Sequence, residues 1–219
     1  PSVAINTIRD CLTPQDSLKA SLVWSKLVQL ARDSAGKAGQ FDRSRLVNKI
    51  LPIAQLIGAV SFRQDLDRLT ELTKSYAKII QDDIGGEKLE RAHIFQEVDS
   101  KLESARVIQI RGLPGSGKSV FIKRAAQRAL KNGPVIFLKA EQLEGNSWNS
   151  YAISQGLSTV SLESLLVELG AVGTPILFID AIDRIDKDKQ AIIIDLFQTI
   201  VESPLLKNWR IVTSLRDTG

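Results

Sequence analysis

The sequence predicts an α/β protein: a parallel sheet with helices on both faces, preceded by an N-terminal bundle of α-helices. Three observations carry this. From residue 107 onward, apolar runs of strand length at 107–111, 134–138, 175–180 and 209–214 alternate with stretches of helical period, the pattern of strand–helix–strand units. Before residue 84 the apolar residues fall at helical spacing only. Between the two regions stands Gly85-Gly86, a pair that breaks a helix, so the chain divides into a helical unit over 1–83 and a sheet unit over 84–219.

The first region reads as three helices. Thr13-Pro14-Gln15-Asp16 opens one with proline in its first turn, and Leu18, Leu22, Val23, Leu27, Leu30 and Ala31 carry it to the stop at Gly36 and Gly39. A second has Leu46, Ile50, Ala54 and Ile57 on one face with a kink at Pro52. After Gly58 a third begins near Ser61, where Phe62, Leu66, Leu69, Thr73, Tyr76 and Ile80 form the stripe of a helix packed in a bundle. Those stripes are core, or else a face for a protein partner or for self-association; spacing does not separate the two. A further helix over 87–103 carries Leu89, Ile94, Val98 and Leu102, with His93 close to its apolar side as a partly buried residue or a contact for a nucleotide base.

In the sheet unit, the strand at 107–111 runs directly into Gly112-Leu113-Pro114-Gly115-Ser116-Gly117-Lys118-Ser119, which fills every fixed position of G-x-x-x-x-G-K-S. A triphosphate needs several backbone N–H groups turned onto it at once, and Gly112, Gly115 and Gly117, lacking Cβ, let the chain curl that tightly. The loop feeds a helix over 118–131 whose first N–H groups, Val120 among them, and positive dipole end face the same anion, with Ser116 in the loop itself. Lys118 supplies a point charge for the β- and γ-phosphates, and the Ser119 hydroxyl suits a Mg²⁺ that bridges them. Further on come a helix over 161–169 capped by Ser161 and one over 187–202 with Ile192, Ile193, Leu196, Phe197 and Ile200 inward. The stretch 141–158 has no clear period and reads as loop and short helix.

The second chemical signal closes the run Ile176-Leu177-Phe178-Ile179-Asp180. Four apolar residues and then an aspartate put a carboxylate at the carboxyl edge of a parallel sheet, where ligands bind in such folds. Asp180 there can hold the Mg²⁺, and Asp183 can orient or deprotonate an attacking water. The separate strand at 134–138, between the loop and Asp180, suits ATPases better than GTPases, since no D-x-x-G follows the phosphate loop and no N-K-x-D occurs.

Composition narrows the rest. A net charge of +4 with basic and acidic residues interspersed gives only weak support for nucleic-acid binding. One cysteine, Cys11, excludes an internal disulfide, and one histidine leaves no Cys/His cluster for zinc. A reducing, cytoplasmic setting fits this, and no apolar run approaches the roughly 18 residues of a membrane span. With no methionine anywhere, the sequence reads as an excerpt of a longer product.

Residues 84–219 resemble the nucleotide-binding domain of the STAND NTPases, the signal-transduction ATPases that include the NACHT and NB-ARC families. The resemblance rests on G-L-P-G-S-G-K-S at 112–119, I-L-F-I-D-A-I-D at 176–183 and R-I-V-T-S-L-R at 210–216. It implies a P-loop NTPase sheet of the ASCE or AAA+-like kind, with ATP or ADP and Mg²⁺ as cofactors. It also implies a polar sensor at Thr213 or Ser214 and an arginine near the γ-phosphate at Arg216, although Leu215 intervenes where the family has none. Arg184 stands where the family commonly carries a second acid, which implies slow hydrolysis. The G-R that usually precedes the first helix is missing.

What the family implies for function is a signalling or defence switch, in which nucleotide gates a conformational change and homo-oligomerisation through the NTPase domain. The lid that usually follows would lie beyond Gly219, and the N-terminal helices would be an effector, an adaptor or an oligomerisation element. An AAA+-like working ATPase that loads or remodels nucleic acid or protein is the alternative.

Overall fold

Four short runs rich in β-branched and aromatic residues become the strands β1 (Val107–Gly112), β2 (Val135–Lys139), β3 (Ile176–Asp180) and β4 (Arg210–Arg216). They form one sheet in the order β1-β4-β3-β2, parallel throughout. The computed structural model describes residues 2–35, 43–57, 62–81, 92–158, 161–171 and 173–217. Successive residues Leu177, Phe178 and Ile179 on β3 are all buried, although they point to alternate faces. Both faces of the sheet are therefore covered over β2, β3 and β4, which is why their centres are buried without alternation, whereas the edge strand β1 alternates buried Ile108 with exposed Val107 and Gln109. The register sets Gly112 beside Arg216 and Lys139 beside Asp180, so the carboxyl ends of the four strands come level at one edge.

The covering helices are α5 (Ala92–Ser104), α6 (Lys118–Ala129), α8 (Leu162–Ala171) and α9 (Gln190–Glu202), with the short α7 (Trp148–Ser154) between β2 and α8. Leu165, Leu166, Ile192, Leu196 and Ile200, spaced at helical period, are buried in the sheet's core. α7 starts at a reciprocal Ser147–Ser150 capping box, and the Trp148 N–H donates to Asp195 on α9 at 3.0 Å. The turn chemistry at the opposite edge is tight. A Cβ on Gly133 would lie 2.5 Å from the carbonyl oxygen of Thr174.

α4 (Arg63–Ile79) packs on the sheet. Leu69, Tyr76 and Ile80 of the expected stripe, together with Leu72 and Ala77, join the sheet's core rather than that of a helical bundle. The Thr73 hydroxyl donates to the Val135 carbonyl at 2.9 Å, and Lys123 Nζ on α6 donates to the Ile80 carbonyl at 2.6 Å. Asp65, fully buried, accepts from the backbone N–H and hydroxyl of Ser158 at 2.8 and 2.9 Å. These bonds satisfy polar groups that burial would otherwise leave costly.

The residues before α4 have a small core of their own. α1 (Ser2–Asp10), a 3-10 turn at Pro14–Lys19, α2 (Ala20–Ala35) and α3 (Arg43–Ile50) enclose Leu12, Ala20, Val23, Ile50 and Ala54. The segment after α3 is pinned back on the start of the unit. Thr13 N–H donates to the Gln55 carbonyl at 3.0 Å, and Gln55 N–H to the Asp16 carboxylate at 2.8 Å.

Several expectations are corrected here. α1 was not anticipated from the sequence. The helix expected from Thr13 starts as a 3-10 turn, where Leu18 is exposed, and becomes α-helical only at Ala20; α2 then buries Ala20, Val23 and Leu30 and leaves Leu22, also expected in the core, exposed. The second helix ends at Ile50 instead of kinking, because Pro52 has no N–H to continue it and disfavours helix at the residue before it. His93 is exposed on α5. The stops at Gly36, Gly39 and Gly58, the start at Ser61, the Gly85-Gly86 break and Leu89 lie outside the described residues.

Candidate nucleotide-binding site

β1 ends at Gly112, and the loop after it turns through Gly115 and Gly117, whose φ angles of 77° and 83° are left-handed. Any residue with a Cβ would be strained at both. α6 then begins at Lys118 with no side chain capping its first turn, so its N-terminal N–H groups face the loop. Lys118 Nζ donates to the carbonyls of Gly112 at 2.6 Å and Leu113 at 2.8 Å, which holds the ammonium inside the curl of the loop. At Gly112 a Cβ would meet Ser116 Oγ at 3.0 Å, a close approach that the serine side chain would have to relieve.

Asp180 closes β3 and is 1% exposed. Its Oδ1 accepts a 2.6 Å hydrogen bond from the Ser214 hydroxyl, and that hydroxyl accepts from the Ala181 N–H at 2.8 Å. Ala181 has a φ of 56°, the one left-handed residue other than glycine among those described. This strained turn bends the chain sharply after Asp180, and the 3-10 turn Ile182–Arg184 follows it at the same edge. Arg216, at the end of β4, faces Asp183 with Nε 3.8 Å from its carboxylate, a contact too long and too exposed to contribute much.

These parts surround one cleft of about 350 Å³ at the carboxyl edge of the sheet. Gly115, Ser116, Gly117, Lys118, Ser119 and Val120 line it on the loop side, and Asp180, Asp183, Ser214 and Arg216 on the strand side. Gly112 stands behind the loop and touches the cleft only through Lys118. Of the two sensor candidates, Ser214 lines the cleft and Thr213 does not. Adjacent residues on a strand point to opposite faces, and the Thr213 hydroxyl is buried without a hydrogen-bond partner. His93 does not line the cleft.

The cleft also contains residues that sequence reasoning did not assign to it: Ile80 after α4, Lys139 at the end of β2, Glu141 and Arg184. Lys139 Nζ binds Glu141 at 2.9 Å, and the Arg184 guanidinium stands 3.7 Å from the other Glu141 oxygen. The hydrogen bond from Lys139, helped by its charge, by the residue's own backbone N–H and by the charge of Arg184, holds the Glu141 carboxyl below its ordinary range against the opposing effect of burial. The readable signal for Lys139 and Glu141 was their place directly after a strand ending at the ligand edge.

The donor set fits Mg²⁺. Ser119 offers a hydroxyl and Asp180 a carboxylate, hard oxygens that such an ion takes together with phosphate oxygens rather than from a full protein cage. Among the described residues no group of three or more His, Cys, Asp or Glu could hold a metal by itself. No helix among them is long and apolar enough to cross a membrane.

Comparison with known proteins bears on one segment. Residues 108–209 match the family model described as ATPase family associated with various cellular activities (AAA). No curated protein matches the chain. Among solved structures, a RuvB variant from Thermotoga maritima is similar at 17% identity and a TM-score of 0.32, over 59% of this chain and 39% of that one. Residues 108–209, which carry the phosphate loop and Asp180, are thus similar in sequence to AAA ATPase domains, and they lie within a P-loop NTPase sheet.

Proposed function

We propose that this protein binds ATP or ADP with Mg²⁺ in the cleft and acts as a STAND-type switch, in which the bound nucleotide sets the conformational state and subunits assemble through the sheet unit. The observation that carries the reading is the convergence of the phosphate loop, Asp180 and the Ser214 hydroxyl on a single cleft. Lys118 binds the β- and γ-phosphates, α6 presents its N–H groups to them, and Ser119 and Asp180 hold the Mg²⁺. The ion when bound neutralises charge on the phosphates. Asp183 stands beside the site of water attack, and Arg216 near the γ-phosphate. With Arg184 in place of an acid, hydrolysis is slow, which suits a switch that must persist in one state.

The packing favours a division of the chain between Leu56 and Phe62 rather than at residue 83, since α4 shares the sheet's core. The helices of residues 2–57 then form the effector or adaptor unit, and a protein partner would meet them.

A working AAA+ ATPase that remodels protein or nucleic acid is the second reading, and the family match over 108–209 favours it. One pair of measurements tests both. Isothermal titration with ATP·Mg²⁺ should show affinity lowered by tenfold or more in Lys118→Ala, in which the phosphates lose a positive charge. Steady-state phosphate release, with Lys118→Ala as the blank, should stay well under about 1 s⁻¹, the low end for ordinary enzymes. Equal affinities would end the nucleotide reading. Turnover of several per second would favour the working ATPase.

A further inference from the structure

Three carboxylates line the cleft, and only two of them come from β3 and the turn after it. The third is Glu141, in the 3-10 turn Ala140–Gln142 that follows β2. The geometry points to Glu141 as the acid that orients and deprotonates the attacking water, supplied from β2 and held by Lys139 and Arg184. The inference deepens the ATP-hydrolysing reading and rests on it.

A water-orienting acid must reach the phosphates, be ionised, and have acceptor capacity to spare. Asp180 has little, because it is buried, accepts from Ser214 and serves the metal. Asp183 is 30% exposed and faces Arg216. Glu141 is the more open acid, with 52% of its side chain exposed; its Oε2 pairs with Lys139 at 2.9 Å, and its own backbone N–H also donates to the carboxylate. Its Oε1 lies 3.7 Å from Arg184, beyond hydrogen-bond reach, so that oxygen can accept from a water while the two cations keep the carboxylate charged and in place.

The position of Arg184 supports the assignment. It follows Asp183 directly in the turn after β3, and the side chain that meets its guanidinium is Glu141, which the parallel pairing of β2 and β3 brings to the same edge of the sheet.

In the step itself the water oxygen bonds to the γ-phosphorus, and the bond from that phosphorus to the β–γ bridging oxygen breaks. The electron pair of the broken bond stays on ADP. One water proton passes to Glu141 Oε1 and leaves with inorganic phosphate or to solvent.

The experiment uses the whole chain with Glu141→Gln, which keeps the shape and removes the base. Nucleotide affinity is measured by titration with ATP·Mg²⁺, and kcat and KM by phosphate release. Positioned bases contribute on the order of 10² to 10⁴ in rate, and a half-exposed one should lie at or below the low end, so kcat should fall at least about tenfold. Affinity and KM should stay within about threefold, because the group acts on the water rather than on the bound nucleotide. Glu141→Asp, which keeps the charge but withdraws it, should turn over at an intermediate rate. It also covers the case of a misfolded Gln variant, which thermal melting would reveal. Wild-type turnover in Glu141→Gln, or loss of affinity in either variant, overturns the assignment. A wild-type chain that binds ATP but releases no phosphate overturns it too while leaving nucleotide binding intact, whereas one that binds no nucleotide removes the reading beneath it.

Discussion

Ser214 joins two strands through one hydroxyl, and its removal can be worked through in detail. Ser214→Ala deletes the 2.6 Å bond to Asp180 and the 2.8 Å bond from Ala181 N–H together, with both Ser214 and Asp180 only 1% exposed. A hydrogen bond to a charged group contributes roughly 1.5–3 kcal/mol, and a buried N–H left without a partner costs roughly 1–3 kcal/mol. The methyl group recovers part of this, since alanine has no hydroxyl to desolvate, so a net loss of about 2–3 kcal/mol is expected. The assay is urea unfolding followed by the fluorescence of Trp148 and Trp209, both buried in the sheet's core. With a slope of roughly 2–3 kcal/mol/M, the midpoint should drop by about 1 M. Thr213→Val is the control, because that neighbour's hydroxyl is buried without a partner and its loss should be neutral or stabilising. A Ser214→Ala protein within about 0.5 kcal/mol of wild type, the range of an ordinary surface change, would refute the reasoning. So would equal destabilisation by the two substitutions.

Asp180→Asn should weaken the Mg²⁺-dependent part of nucleotide affinity, while Asp183→Asn should leave affinity nearly intact and lower turnover; titrations with and without Mg²⁺ separate the two, and identical behaviour would show the roles to be wrong. Gly133→Ala should destabilise by roughly 1–3 kcal/mol in the same urea assay, because overpacking against backbone forces a shift. The Cβ would lie 2.5 Å from the oxygen and 2.7 Å from the nitrogen of Thr174, neither of which can rotate away, so an unchanged midpoint would contradict the close approach of those two turns.

Much of the sheet unit was legible because its signals are local. A strand buried on both faces must be a continuous apolar run, as 135–138 and 176–179 are, and a loop that wraps a phosphate must put glycine at fixed places, as Gly112, Gly115 and Gly117 do directly before Lys118. Asp180 was equally readable, since a carboxylate after four apolar residues falls at the ligand edge of any parallel sheet. The alternation of strands and helices determined the fold class, and the stripe of α4 marked it as a packed helix.

Where α4 packs was a different matter. Its stripe fits a helical bundle as well as a sheet, and it is the burial of Leu69, Leu72 and Tyr76 in the sheet's core and the contact of Thr73 with Val135 that assign it to the sheet. Amphipathic spacing says that a face is covered, never by what. The same limit governed Leu18 and Leu22, whose period suggested burial: Leu18 falls in the 3-10 turn before Ala20, and Leu22 on the exposed side of α2. In the cleft, Thr213 and Ser214 look alike as adjacent polar residues, and the sidedness of β4 alone separates a sensor candidate from a buried hydroxyl. The meeting of Glu141 with Lys139 and Arg184 was beyond the sequence altogether, because residues 141 and 184 become neighbours only when β2 and β3 pair. Sequence by itself determined which chemistry the chain carries, through short motifs whose spacing is dictated by backbone geometry. Tertiary structure decided which of those groups face one another, because strand order and register bring together residues that no local pattern connects.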